Sequence, residues 1–125
     1  MNTPFDNPHA ELAWMFLQSL CHGGDLDEGF ALLSEDFTHW SAFTGESVGK
    51  AALRAEAERR AGHPALDLVR CVTEGDAVVI EAQADGLSAD GVPYVAPFVF
   101  VFDTRDGLIV SVREYGDPRL AARIS

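Results

Sequence analysis

The stretch that decides the fold is YVAPFVFVFDTRDGLIVSVREYGD, residues 94–117 of a 125-residue chain. It contains two runs rich in β-branched and aromatic residues, 94–103 and 108–115, with an Asp-Gly pair between them. Runs of this composition are typical of β-strands, and an Asp-Gly pair between two of them is typical of a hairpin turn. The stretch therefore predicts two long antiparallel strands, the second of which ends in a cluster of charged residues.

Two further strands are predicted immediately before this hairpin. Residues 65–73 alternate between apolar and polar side chains, and residues 77–85 follow after a Glu-Gly-Asp turn. Alternation with a period of two is typical of half-buried strands. The second half of the chain thus predicts four consecutive antiparallel strands.

The first half of the chain predicts helices. Asn7 and Pro8 are typical of a helix start, and Gly23 and Gly24 end this first helix. A second helix is predicted over residues 25–37, with Leu33 on its apolar face, and a short strand over residues 37–43. A loop over residues 44–50 and a third helix over residues 50–62 follow.

Helices first and antiparallel strands afterwards are typical of an α+β fold. The prediction is three N-terminal helices packed on a strongly curved, mainly antiparallel sheet, forming a cone with one internal pocket. At 125 residues the chain is long enough for one core, so residues 1–125 are predicted to form a single domain.

Composition and charge restrict the partners. The formal net charge of −11 disfavours nucleic acid and anionic membranes, because their phosphates would be repelled. The N-terminal sequence MNTPFDNPHA has neither a basic segment nor an apolar one, so no secretory signal is predicted. Cys21 and Cys71 lie in apolar patterns and are predicted to be buried free thiols, which fits a cytoplasmic protein.

Several kinds of catalytic site are disfavoured by the sequence. The four histidines lack zinc-ligand spacing, and no Gly-x-Ser-x-Gly sequence is present. The segment GESVGK lacks the spacing of a phosphate-binding loop. We therefore predict no metal and no cofactor.

The element order, together with the stretch at 94–117, resembles the SnoaL-like and ketosteroid isomerase-like branch of the nuclear transport factor two-like superfamily. The resemblance covers essentially the whole chain, and its most specific part is the aromatic-rich strand, the Asp-Gly turn and the final REY-D pattern. Members include polyketide cyclases and limonene-epoxide hydrolase-like enzymes. The resemblance implies an internal pocket that hosts chemistry on small molecules.

The resemblance also implies roles for two residues. In the enzymes of this branch an acid on the last strand, one residue before an aromatic residue, points into the cone, and Glu114 has this place here. Tyr94 matches a tyrosine that opens the preceding strand. The Arg-x-Asp pair of the epoxide hydrolases is missing from EAQAD, residues 81–85, which disfavours epoxide hydrolysis.

Glu114 is the main candidate for proton transfer. A carboxylate that points into an apolar cone is desolvated, which suits a general acid or base near neutral pH. The alternative is a glutamate at a strand end that pairs with Arg70 or Arg113. Strand alternation places Arg113 and Tyr115 on the face opposite Glu114.

The other candidate site residues are hydrogen-bond donors and apolar groups. Tyr94 or His39 is predicted to donate to a developing oxyanion, although a histidine beside a tryptophan can also be an ordinary packed residue. The predicted substrate-binding residues are Trp14, Trp40, Phe43, Gln83 and Phe98. Core packing is the alternative for the aromatic residues, and the solvent side of a strand is the alternative for Gln83.

Three function classes follow from these residues. The leading hypothesis is a cofactor-independent enzyme of the isomerase, cyclase or hydrolase type that acts on an apolar oxygenated small molecule. The second is a non-catalytic binding or carrier module for a hydrophobic small molecule. The third is an oligomerisation module whose cavity is filled by Trp14, Trp40 and Phe98.

The outer face of the sheet predicts a partner. Strand alternation places Val99 and Val101 there, and it groups Ile109 with Tyr115 on one face of the last strand. An exposed apolar sheet face generally marks an interface, and two-fold homodimers commonly cover such patches. We predict a homodimer joined sheet to sheet, with Arg113 and Tyr115 at or near the interface.

Overall fold

The three helices of the computed structural model begin close to the predicted positions, and the second of them ends earlier than predicted. Residues 6–60, 64–87 and 90–117 are described, so the predicted end of the third helix at residue 62 lies outside the described residues. The helices are α1 (Pro8–Ser19), α2 (Leu26–Phe30) and α3 (Lys50–Arg60). Among the described residues, none of the helices has the length and apolar character needed to cross a membrane.

The six strands form one sheet. They are β1 (Leu33–Ser41), β2 (Glu46–Gly49), β3 (Leu66–Glu74), β4 (Ala77–Leu87), β5 (Pro93–Arg105) and β6 (Leu108–Gly116). The strand order is β2-β1-β6-β5-β4-β3. Every neighbouring pair is antiparallel except β1 and β6, which run parallel. The sheet is curved and unclosed, and the predicted α+β fold class is confirmed.

The start of α1 follows from its cap. The Asn7 side chain accepts hydrogen bonds from the backbone N–H groups of His9 at 2.8 Å and Ala10 at 3.2 Å. Pro8 occupies the first turn, where its missing N–H would have no helical partner. The predicted helix start is confirmed at this position.

One face of the sheet packs against α1 and carries the core, and we call it the inner face. On β4 and β5 it is formed by alternate residues that are at most 8% exposed: Val78, Ile80, Ala82, Ala84, Ala96, Phe98, Phe100 and Phe102. The opposite side, which we call the outer face, carries the residues between them, including Val95 and Val99. Successive side chains of a strand point to opposite faces. The alternation of buried and exposed residues on β4 and β5 therefore has the same period of two as the alternation of apolar residues in the sequence.

The β5–β6 hairpin confirms the predicted Asp-Gly turn. Asp106 has φ 54° and Gly107 has φ 78°. A type I′ turn, which suits the twist of a two-residue hairpin, requires positive φ at both central residues. Asp-Gly is one of the pairs that this turn prefers.

A bulge in β6 changes which residues face the core. Asp103 pairs with Ser111 and Thr104 pairs with Ile109, so Val110 is an extra residue in the strand. An extra residue reverses the alternation beyond it. The prediction that Ile109 shares a face with Tyr115 is therefore wrong: the Ile109 side chain is 0% exposed.

The second helix is shorter than predicted, because its C-terminal residues join the sheet. α2 ends at Phe30 and β1 begins at Leu33, which is 2% exposed. Leu33 pairs with Ile109 of β6, and the Ile109 N–H donates to the Leu32 carbonyl at 2.8 Å. Pairing with β6 buries Leu33 and satisfies backbone groups, which outweighs a weak helical pattern.

A short strand lies where the sequence predicted a loop. Residues 46–49 of β2 pair with residues 38–41 of β1 in antiparallel register. Four residues are too few to show a convincing period, and the glycines on either side indicated a loop. β2 is an edge strand of the sheet.

Candidate active site

A cavity of about 380 Å³ lies between the inner face of the sheet and the helices α1 and α3. This volume is within the range of about 300–1,000 Å³ that is usual for small-molecule sites. Much of its wall is apolar, including Leu17, Leu53, Phe43, Phe98 and Phe100. An apolar wall of this kind favours an apolar ligand and weakens competition from water.

Besides Thr44 and Glu46, the charged and polar side chains of the cavity come from two regions. His39, Ser41 and Glu114 lie on the central strands β1 and β6. Glu56 and Arg60 lie in the last turns of α3 and form an ion pair of 2.8 Å between Arg60 Nη2 and Glu56 Oε1. The second group is more exposed, with 42% of the Arg60 side chain and 38% of the Glu56 side chain accessible.

The strand register places one row of residues across the inner face. Ser41 of β1 pairs with Glu46 of β2 and with Glu114 of β6, and Glu114 pairs with Phe100 of β5. Directly paired residues on neighbouring strands share a face of the sheet. Ser41 therefore lies between two carboxylate-bearing residues, and all four members of the row line the cavity.

His39 and Glu114 form the central contact of the site. The distance between His39 Nε2 and Glu114 Oε1 is 3.0 Å, and the two side chains are 16% and 21% exposed. With the proton on Nε2, His39 donates to the carboxylate and fixes its orientation. In the described part of the chain, the second carboxylate oxygen of Glu114 accepts no hydrogen bond, so that it is available to a ligand.

The strand order explains why Glu114 pairs with His39 and not with an arginine. Beyond the bulge at Val110, Val112 and Glu114 face inward while Arg113 and Tyr115 face outward. The Arg113 guanidinium lies 4.2 Å from the centre of the Trp40 ring, and Arg113 Nε donates to the Tyr115 hydroxyl at 3.0 Å. The predicted separation of Glu114 from Arg113 and Tyr115 is thus present in the structure.

Two of the predicted substrate-binding residues line the cavity. The rings of Phe43 and Phe98 are 6.2 Å apart at an interplanar angle of 80°, which is an edge-to-face contact. Gly116 lies beneath them, and a Cβ atom there would come within 2.8 Å of Phe43 Cζ. The absence of a side chain at this position leaves room for both rings.

Tyr94 was predicted to serve the site, and the structure places it elsewhere on the inner face. It pairs with Gly86 across β4 and β5, and its hydroxyl would be 2.6 Å from a Cβ atom at that glycine. Tyr94 is 8% exposed and does not appear among the described residues that line the cavity. The reason is distance along the strand, because Tyr94 precedes Phe98 by four residues, or about 13 Å.

The structure also places Trp14, Trp40 and Gln83 away from the described cavity wall. Trp14 is 8% exposed within the core. Trp40 faces outward because it follows His39 on the same strand, and its ring contacts that of Tyr115 in a tilted arrangement with 5.4 Å between ring centres. Gln83 alternates with the buried Ala82 and Ala84, so it lies on the outer face.

Other residues of the cavity wall were missed by the sequence analysis. Ser41 lies two residues after His39, so strand alternation could have identified it. Glu56 and Arg60 fall three and seven residues after the buried Leu53, which is the spacing of one helix face. Glu46 could not be placed, because its segment was predicted to be a loop.

Cys21 contributes a neutral group to the wall. Burial raises the pKa of its thiol above the usual range, and a backbone hydrogen bond at Leu66 opposes this shift only in part. Its Sγ donates to the Leu17 carbonyl at 3.4 Å. A protonated thiol is a weak nucleophile, so Cys21 serves here as a small apolar residue.

Within residues 6–60, 64–87 and 90–117, no three His, Cys, Asp or Glu side chains are grouped as metal ligands would be.

Solved structures with the same fold are numerous. A protein from Jannaschia sp. CCS1, described as a SnoaL-like polyketide cyclase, has a TM-score of 0.77 at 20% identity, covering 100% of this chain and 96% of that one. TerC, co-crystallised with polyporic acid, has a TM-score of 0.75 at 16% identity, with 94% and 98% covered. A protein with a ketosteroid isomerase-like fold from Catenulispora acidiphila, in complex with trimethylamine, has a TM-score of 0.70 at 20% identity, with 91% and 86% covered.

At these identities the likeness shows the fold alone. A comparison with curated protein sequences gives no match. The model of the SnoaL-like domain matches residues 15–112, which include the C-terminal part of α1, all of α2 and α3, the strands β1 to β5 and the first part of β6. The resemblance predicted from the sequence is confirmed, and the chain belongs to the SnoaL-like domain family.

Proposed function

We propose that this protein is a cofactor-independent enzyme in which Glu114 moves a proton on an apolar, oxygenated small molecule. The SnoaL-like fold itself supports a small-molecule isomerase, cyclase or binding domain. The observation that carries the finer proposal is the 3.0 Å contact between His39 and Glu114 in the wall of a largely apolar cavity. A partly desolvated carboxylate held by a histidine is suited to act as a general base.

Glu114 is a better candidate than the other two carboxylates of the cavity. Its side chain is 21% exposed, whereas the Glu56 side chain is 38% exposed and Glu46 is an exposed residue. Glu56 is also neutralised by Arg60. A less exposed and unpaired carboxylate oxygen is more accessible to a substrate held in the apolar cavity, because fewer water molecules compete for it.

The proposed step is the isomerisation of a ketone through its enolate. One Glu114 oxygen takes a proton from the carbon next to the carbonyl, and the electron pair of the broken C–H bond moves to the carbonyl oxygen. The same carboxyl then returns the proton to a carbon of the substrate, which regenerates the carboxylate. The balance needs no other reactant, and His39 holds the carboxylate in one orientation throughout.

The charges of the cavity favour a neutral substrate. Glu46, Glu56 and Glu114 line it together with Arg60, and the chain carries a formal net charge of −11. Carboxylates at this density repel an anionic ligand both at the site and at a distance. The small organic molecules present in TerC and in the Catenulispora protein make a small-molecule ligand reasonable for this fold.

Deuterium exchange tests the proposal directly. A panel of small neutral ketones, beginning with the bicyclic ketone 2-tetralone, is incubated with the protein in D₂O, and NMR follows deuterium uptake at the carbons next to the carbonyl. Glu114→Gln should reduce the protein-dependent rate at least about 100-fold, because the amide cannot accept the proton.

The matched control is Glu81→Gln, since Glu81 lies on the outer face opposite Val99 and should leave the rate unchanged. If the wild type exchanges no ketone of the panel faster than buffer does, or if Glu114→Gln exchanges at the wild-type rate, the proposal is wrong.

A second candidate function is non-catalytic binding of a hydrophobic small molecule. The apolar wall formed by residues such as Leu53 and Phe98 supports it, because such a wall binds ligands whether or not chemistry follows. Binding alone predicts that a ligand is recovered unchanged and that Glu114→Gln retains affinity. An oligomerisation module with a filled cavity has less support, because side chains do not fill the cavity and Trp40 lies on the outer face.

A further inference from the structure

The proposed site needs a hydrogen-bond donor for the substrate oxygen, and neither of the donors predicted from the sequence is well placed. Tyr94 packs against Gly86 and not against the described cavity wall. His39 Nε2 is engaged with the Glu114 carboxylate at 3.0 Å. Another cavity group must therefore meet the negative charge that develops on the substrate oxygen.

Ser41 occupies the position next to Glu114. The two residues are direct partners in the parallel β1–β6 pair, where adjacent strands are about 4.8 Å apart. The Ala42 N–H also donates to the Glu114 carbonyl at 2.9 Å, which fixes the two backbones relative to each other. Ser41 is half-buried and lines the cavity.

The Ser41 hydroxyl is held in place but keeps its hydrogen available. Its Oγ accepts a hydrogen bond from the Phe43 N–H at 3.1 Å. A hydroxyl has one donor hydrogen and two acceptor lone pairs. In the described part of the chain, the Ser41 hydroxyl donates to no acceptor. The bond from Phe43 thus fixes the rotamer and leaves the O–H to a ligand.

We propose that Ser41 donates the hydrogen bond that holds the substrate carbonyl oxygen beside Glu114, an inference that rests on the proposed function. Glu114 takes the proton from the neighbouring carbon, the electron pair of that C–H bond moves onto the carbonyl oxygen, and the Ser41 O–H stabilises the resulting enolate. Because Ser41 pairs directly with Glu114, the hydrogen-bond donor lies beside the base. The donor can then meet the carbonyl oxygen of the substrate while the base meets the neighbouring carbon. No further reactant is consumed.

Thr44 provides a matched comparison. It also lines the cavity with a hydroxyl, and its Oγ1 accepts a backbone hydrogen bond from Glu46 at 3.2 Å. It differs from Ser41 in lying in the turn after β1, where it is exposed and has no pairing with Glu114. If a substitution of Ser41 but not of Thr44 lowers the preference for the ketone, the effect comes from the position of the Ser41 hydroxyl beside Glu114 and not from a hydroxyl anywhere in the cavity.

The first experiment measures binding with two probes of one shape. Calorimetry compares 2-tetralone with tetralin, which has the same rings without the oxygen. The wild type should prefer 2-tetralone by about five- to tenfold, the effect of one hydrogen bond. Ser41→Ala should abolish the preference, and Ser41→Thr should keep most of it. Because Thr44 lies in the cavity wall but not beside Glu114, Thr44→Val should change the affinity for both probes by the same factor and so keep their ratio. A preference unchanged in Ser41→Ala overturns the inference.

The second experiment measures deuterium exchange of 2-tetralone. Ser41→Ala should lower kcat about 100-fold with little change in KM, because the bond strengthens as charge develops on the oxygen. Wild-type exchange together with full exchange by Ser41→Ala overturns this inference and leaves the role of Glu114 intact. A wild type that binds neither probe, or that exchanges no ketone, overturns the proposed function and this inference with it.

Discussion

Asp67 and Asp85 bring two carboxyl groups together on exposed strand positions. A hydrogen bond with the Asp67 side chain raises the pKa of Asp85 above the usual aspartate range, and desolvation and the charge of Asp67 act in the same direction. The folded protein therefore binds this proton more tightly than the unfolded chain does. The resulting stability is fully present below the ordinary aspartate pKa of about 3.9 and is lost as the pH rises through the raised value.

Asp67→Asn should stabilise the protein at neutral pH, because it removes the repulsion between two ionised carboxylates. The gain in melting temperature should grow as the pH rises through the raised pKa of Asp85 and should vanish in acid. Glu74→Gln is the control, since it removes the same charge from another exposed strand position. Thermal melts between pH 3 and pH 8 measure both, and equal gains for the two variants would contradict the pairing.

Gly116→Ala should damage the cavity more than the fold. The new Cβ atom would lie 2.8 Å from Phe43 Cζ and 3.1 Å from Phe98 Cδ1, so both rings must move. We expect a loss of about 1–3 kcal/mol in stability and a clear loss of affinity for 2-tetralone. Gly49→Ala is the control, because a Cβ atom there meets nothing within 4 Å. Wild-type affinity in Gly116→Ala would show that the rings adapt without cost.

At the scale of single elements, the strands and helices with a clear period or cap were predictable. The β5–β6 hairpin has both an alternating pattern and an Asp-Gly turn, and α1 has its Asn7 cap. β2 was missed because four residues cannot show a period. The face of Ile109 was wrong because the bulge at Val110 depends on pairing with two neighbouring strands, which a local pattern does not contain.

In the site as well, features that follow from a local pattern were predictable and features that depend on strand pairing were not. The family resemblance implied an inward-facing Glu114, and alternation placed Arg113 and Tyr115 on the opposite face; the structure has both Glu114 and His39 facing inward. Their contact joins residues 75 positions apart, so it depends on the parallel pairing of β1 and β6. Residue type indicated Trp40 as a site residue and the resemblance indicated Tyr94, but strand alternation places Trp40 on the outer face and distance along β5 places Tyr94 away from the described cavity wall.

The packing of α2 against α1 depends on the absence of a side chain at Gly29. A Cβ atom there would overlap the Oγ and Cβ atoms of Ser19. Gly29→Ala should destabilise the protein by about 1–3 kcal/mol, although alanine is the better helix former by about 1 kcal/mol.

Urea denaturation measures this free energy of unfolding. The double variant Ser19→Gly, Gly29→Ala should recover part of the loss, because the clash has been removed from the other side. Strictly additive effects of the two substitutions would show that the close approach of the helices is not the cause.

For the whole molecule, the outer face of the sheet is notable for large apolar side chains that remain exposed to solvent. Val72 is 51% exposed, Val95 51%, Val99 36% and Tyr115 37%. Val72 pairs with Val79, and Val79 pairs with Val101, which lies two residues from Val99 on the same face of β5. Contiguous apolar area of this kind on a sheet generally marks an interface.

We propose that two copies of the chain pair through this outer face, with Arg113 and Tyr115 at or near the contact. Light scattering at micromolar concentration should give about twice the chain mass of 13.5 kDa. Val99→Lys should reduce the mass to that of one chain, because a buried unpaired charge is costly. Ala55→Lys, on the exposed side of α3, should leave the dimer intact. A wild-type mass near 13.5 kDa would overturn the proposal.

The parallel pairing of β1 with β6 also has a consequence for how activity arises during synthesis. Residues 39 and 41 leave the ribosome early, together with the helices and the β1–β2 hairpin, whereas residue 114 leaves late. Contacts between such distant segments form only after a long stretch of chain has been ordered. A nascent chain that has not yet made β6 lacks Glu114, so His39 lacks its carboxylate contact, and we expect an activity that depends on Glu114 to appear in one step, when β6 docks.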